Sequence, residues 1–164
     1  MVRLAQQALR LQRLPEAVSA WRLALTEGVA LTEPEALDAA AALSAFSDGA
    51  RARAALDVAF PKGVVPRSAR DRYLLLMLES LLLEDDTTRD PQPFIDAVVS
   101  GSSPAVDLRL GLWLETRGRQ VEAKGYYRRA GEFSQRLTAQ ERTVLSQRLA
   151  NSGQRNWPPR EEAP

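Results

Sequence analysis

The chain has 164 residues, enough for one domain of ordinary size, and 22 basic side chains nearly balance 21 acidic ones for a formal net charge of +1. It contains no cysteine and no histidine, which excludes disulfides, thiol nucleophiles, zinc sites built on those residues and triads with an imidazole base. Alanine (25) and leucine (24) are the commonest residues, and both are strong helix formers, so composition alone points to an all-α protein.

In chain order, Val2–Gln12 has Leu4, Ala5, Ala8, Leu9 and Leu11 at helical spacing. Pro15 fits the first turn of a second helix that runs to Glu27 and stops at Gly28. Thr32-Glu33-Pro34-Glu35 reads as a capping box opening an alanine-rich helix to Phe46. Ser47-Asp48-Gly49 is predicted as a turn and Ala50–Phe60 as a helix, with Pro61 and Gly63 ending it. Lys62–Arg67 is a linker. Ser68 and Asp71 are expected to cap an apolar helix to Leu83. Glu84–Asp90 is expected as a solvated polar loop. A short helix follows from Pro91 to Ser100, then one capped at Ser103-Pro104 that stops at Gly118. Arg119–Phe133 is the eighth helix. Thr138 and Glu141 open a ninth, ending near Asn151-Ser152-Gly153.

The most apolar stretch, Tyr73–Leu83, is about half of what a bilayer requires and carries Glu79, so membrane insertion is not expected. The N-terminal arginines Arg3, Arg10 and Arg13 interrupt any secretory apolar run. The expected setting is the cytoplasm, or the periplasm if the chain is part of a longer exported protein. The excess of arginine over lysine fits the codon usage of a GC-rich bacterium as well as any function.

One spacing occurs twice. Leu4-Ala5, Ala8, Gln12, Ala17, Trp21 and Ala24 match Leu110-Gly111, Leu114, Gly118, Ala123, Tyr127 and Ala130, 106 residues later. A weaker third copy is read as Ala41-Ala42, Ala45, Gly49, Ala54 and Val58. Small residues at the first and fourth marks let two helices approach closely, and the aromatic fills the groove against the next pair. This pattern resembles the tetratricopeptide repeat, a helix–turn–helix unit of about 34 residues. The resemblance implies a right-handed stack of antiparallel helix hairpins, about nine helices in all. Residues 1–152 would form this domain and 153–164 a disordered tail.

Family likeness further implies a non-catalytic scaffold that binds a protein or peptide, because first helices line a concave groove in such proteins. The implied groove positions are Gln6, Leu9 and Arg10 in the first copy and Arg109, Leu112, Glu115 and Thr116 in the last. Trp113 beside them is either core or a partner contact. Members that clamp a C-terminal carboxylate use Lys and Asn, and neither stands at these positions. Two further readings remain open: a spacer segment of a larger envelope or secretion protein, and a helical accessory domain of an enzyme or regulator. No cofactor is expected. Glu84-Asp85-Asp86 lacks the spacing and the glycine of a calcium loop, so no metal is expected. Arg117, Arg119, Arg128 and Arg129 cluster near the last copy, but the aromatics that nucleic-acid stacking needs are committed to packing, and no nucleic-acid partner is expected.

Overall fold

The computed structural model describes residues 1–61, 64–98 and 102–154, with side chains through residue 151. Positions 62–63, 99–101 and 155–164 lie outside the described residues, and with them most of the expected tail. Among the described residues there are nine α-helices, one 3-10 turn and no strand. They form two compact units, Met1–Asp90 and Pro91–Pro164.

The first unit holds α1 (Val2–Arg10), α2 (Leu14–Thr26), α3 (Glu33–Ala45), α4 (Gly49–Ala59) and α5 (Arg70–Leu83). Helices α1 and α2 pair, as do α3 and α4. Helix α2 also lies on α3 and α4, and α5 lies on the same two helices. Pro15 stands in the first turn of α2, where its missing N–H leaves no bond unmade. The capping box at α3 is present: the Thr32 backbone N–H and hydroxyl both donate to Glu35 Oε2, at 2.9 and 2.8 Å.

Each tight turn is closed by one residue in the left-handed region. These are Gln12 (φ 56), Gly28 (φ 66), Ser47 (φ 56), Asp85 (φ 48) and Gly118 (φ 74). At each, the following N–H reaches five residues back: Arg13 to the Ala8 carbonyl, Val29 to Ala24, Asp48 to Leu43, Asp86 to Leu81 and Arg119 to Leu114. This is the Schellman closure, which satisfies carbonyls that the helix end would leave orphaned. Two of these five closures use glycine and three do not.

That geometry corrects the third copy of the repeat. The spacing puts a turn mark at Gly49, yet Gly49 is the buried first residue of α4, where a Cβ would lie 2.8 Å from the Ser80 carbonyl. Ser47 makes the turn. The copy therefore sits 35 residues after the first: Ala40 matches Ala5, Leu43 matches Ala8, Ala52 matches Ala17 and Leu56 matches Trp21. All four are fully buried, whereas Ala54 and Val58 of the expected register are exposed.

One boundary also moves. Helix α5 is capped by Ala69 after a turn in which the Ala69 N–H reaches the Pro66 carbonyl, so Ser68 is not its cap. The Glu84–Asp90 loop is mostly exposed, and two of its residues are also tied to α4. Asp86 accepts from the Thr88 N–H and hydroxyl and pairs with Arg53, while Arg89 pairs with Asp57 at 3.0 Å.

The second unit holds α6 (Gln92–Ala97), α7 (Pro104–Thr116), α8 (Gln120–Glu132), a 3-10 turn at Ser134–Arg136 and α9 (Ala139–Gln154). Helices α7 and α8 pair, and α9 packs on both. Helix α9 continues through Gly153, past its expected end. The 106-residue spacing extends beyond the hairpin. Buried Leu31 and Leu137 correspond, as do the capping threonines Thr32 and Thr138 and their partners Glu35 and Glu141. Three helices, not two, share the register. Among the described residues no helix is long and apolar enough to cross a membrane.

The corrected register carries a prediction. Ala52→Leu should overpack the α3–α4 crossing and lower stability by about 1–3 kcal/mol. Ala54→Leu, on the exposed side, should stay within about 0.5 kcal/mol of the parent. Urea unfolding of the two variants checks this, and equal losses would restore the register with Gly49 at the turn.

Candidate functional site

In the second unit several of the expected groove positions make contacts within the chain. Arg109 Nη1 lies 3.3 Å from Glu141 Oε1 on α9. Glu115 accepts a hydrogen bond from the Tyr127 hydroxyl at 2.7 Å and lies 3.0 Å from Arg148 Nε. Trp113 is 1% exposed. Its ring meets Phe94 edge-on with centroids 5.2 Å apart, and the Arg117 guanidinium stands 5.1 Å over it. Trp113 is thus core. Arg109 and Glu115 are engaged within the chain, because α9 supplies the opposite charges that an external ligand would otherwise bring. Leu112 is half-buried and Thr116 exposed, and the Thr116 hydroxyl donates to the Trp113 carbonyl at 2.8 Å.

In the first unit the three positions separate. Gln6 donates to Glu35 Oε1 at 3.3 Å, joining α1 to α3. Leu9 is half-buried and lines a shallow depression of 240 Å³ with Leu14, Ala41 and Ala45, beside the Arg72–Asp38 pair at 2.7 Å. Arg10 is exposed.

A larger depression, about 810 Å³, was not anticipated. Leu4 and Ala8 of α1 and its C-cap Leu11 line it together with Pro15, Ala20 and Leu23 of α2, with the Arg13–Glu16 pair also in its lining. Leu4 is 63% exposed, Leu11 60% and Leu23 48%. The sequence held a signal for it. Helix α1 has apolar residues on two faces, Leu4/Ala8/Leu11 and Ala5/Leu9, and one partner helix covers only part of such a surface.

The clustered arginines are mostly engaged. Arg119 pairs with Glu122 at 2.6 Å, and Arg129 makes a two-pronged contact with buried Asp107 while standing over the Tyr126 ring. Burial, together with the bond to Glu115, pushes the Tyr127 hydroxyl far above its ordinary range. At Glu35 the Thr32 N–H and hydroxyl hold the carboxyl below its usual value. At Glu141 burial is the largest influence and works the other way. The Thr138 N–H and hydroxyl and the Arg109 charge together outweigh it, so this carboxyl is also lowered.

Among the described residues no group of three or more Asp or Glu side chains is placed to hold a metal ion. Comparison with protein families, with curated proteins and with solved structures finds no match.

Two predictions follow from this geometry. A Cβ on Gly111 would lie 2.6 Å from Tyr127 Cε1 and 3.3 Å from the Ala123 carbonyl, so Gly111→Ala should cost about 1–3 kcal/mol. Combining it with Tyr127→Leu should remove that increment, measured as a double-mutant cycle in thermal melts. The second concerns pH. Glu141 is lowered in the fold, so its contribution is complete above the ordinary glutamate value of 4.5 and is lost as pH falls through the folded value. Glu141→Gln should therefore be less stable near neutrality and lose less stability than the parent between about pH 5 and about pH 3.

Proposed function

We propose that this chain is a non-catalytic helical-repeat scaffold of the tetratricopeptide kind and that it binds a protein partner. The repeat reading is supported by three hairpins that share small residues, turn conformation and register at spacings of 35 and 106 residues. The binding reading rests on one observation: the α1–α2 face leaves three large leucine side chains open to solvent beside a fully closed core. A contiguous apolar concavity on a soluble surface marks an interaction site. The polar positions first assigned to the groove on α7 have no part in this proposal, since α9 already engages them.

The test is capture from native lysate on immobilised protein, with the Leu4→Glu/Leu11→Glu variant alongside. A partner retained by the parent and lost by a variant with an unchanged melting temperature is the expected result. Failure of the parent to retain any protein above bare matrix would favour the spacer reading.

A further inference from the structure

The three hairpins present the same face in different states. Adding 35 to Leu4, Gln7, Ala8 and Ala20 gives Ala39, Ala42, Leu43 and Ala55, on the α3–α4 hairpin that α2 packs against. Those four are buried to 3% exposure or less. In the first copy Leu4 and Gln7 are exposed, and Ala8 and Ala20 are half-buried. In the third hairpin the counterpart of Gln7 is Trp113, covered by Phe94 of α6. Both later copies thus have helix-borne side chains on this face, and only the α1–α2 copy is open. The rims differ less: Phe46 and Val58, which match Leu11 and Leu23, stay 42% and 60% exposed. The contrast lies in the floor.

Charge narrows the occupant. Arg3, Gln7 and Arg10 follow one another at i, i+4 and i+7, beside the lining row Leu4, Ala8 and Leu11. Helix α1 contains no acidic residue, and neither arginine is in an ion pair among the described residues. Arg13, the basic residue that lines the depression, is matched by Glu16.

We propose that the α1–α2 face docks an amphipathic α-helix of a partner protein, with a leucine and alanine stripe against Leu4, Ala8 and Ala20 and acidic residues toward Arg3 and Arg10. This rests on the scaffold reading above and specifies its ligand. The small floor residues Ala8 and Ala20 leave room for close approach of a helix backbone, and Ala55, the counterpart of Ala20, is fully buried on the hairpin that α2 packs against. Helix-in-groove binding of this kind draws its affinity from a few apolar anchors and its orientation from flanking charge.

The test uses a fluorescein-labelled helical peptide of about 18 residues (five turns), with Leu and Ala on one face and Glu on the flanks, against a version with Lys on the flanks. Fluorescence anisotropy should show the Glu-flanked peptide binding the full chain, and Leu4→Glu/Ala20→Glu should weaken it by about tenfold or more. Arg3→Glu/Arg10→Glu, altered only at exposed positions, should reverse the preference toward the Lys-flanked peptide. Thermal melts confirm that both variants fold. Equal binding of the two peptides, undiminished binding to a folded Leu4→Glu/Ala20→Glu variant, or no binding to the parent would overturn the proposal. So would a concentration-dependent dimer of the parent that this variant abolishes, which would give the face to a second copy. A captured partner that the same variant still binds would overturn this proposal and move the scaffold's binding face away from α1–α2.

Discussion

The close approach of paired helices is the constraint on which the rest depends. At the α7–α8 crossing Gly111 leaves no room for a Cβ, because the Tyr127 ring and the Ala123 carbonyl occupy that space. Ala5, Ala17, Ala40 and Ala52 hold the matching places in the other hairpins, all fully buried. A larger side chain at any of them would force the helices apart. The bulky residue of each copy, Trp21, Leu56 or Tyr127, then fills the space beside the crossing. Turns must close tightly to keep this register, which explains why Gln12, Ser47 and Asp85 accept the left-handed conformation without being glycine. That conformation costs an ordinary residue on the order of 1–2 kcal/mol, offset by the two backbone bonds that each closure makes.

The copies diverge in polar detail, and the divergence separates their surfaces. Tyr127 gives its hydroxyl to Glu115, which Arg148 of α9 also approaches. In the first copy Glu115 is replaced by Leu9, and the Trp21 indole N–H has no acceptor among the described residues. Helix α9 is therefore held to α7 by charge at two points, Arg109–Glu141 and Arg148–Glu115, while α3 meets α1 through the single Gln6–Glu35 bond. The last copy is locked by pairs that depend on ionised carboxylates. The first is held mainly by apolar burial and leaves an apolar face uncovered.

That asymmetry relocates the binding question. Exposed first-helix positions were expected to form the site in both copies. On α7 their charges are satisfied internally, and Trp113 lies in the core. On α1 the side chains that remain open are on the face toward Leu4 and Leu11, which the groove assignment had passed over. Arg10 alone belongs to both readings, as an exposed cation at the edge of the open face.

The sequence by itself determined the helices, the threonine caps of α3 and α9 and the small-residue spacing shared by the first and last hairpins. Those features are local: Thr32 and Thr138 cap through residues three positions away, and the alanine and aromatic spacings follow from helical periodicity. It misread the middle copy, because Gly49 resembles a turn residue when its surroundings are unseen. Only packing shows that Gly49 is small to clear the Ser80 carbonyl, and that Ser47 bears the turn. The state of the groove was likewise a tertiary decision. Whether Arg109, Glu115 and Trp113 face solvent or are engaged depends on where α9 and Phe94 lie, and helix–helix placement is a sum of contacts between residues distant in sequence. A pattern of spacing records which face of a helix is apolar, but what covers that face is settled only when the chain has folded.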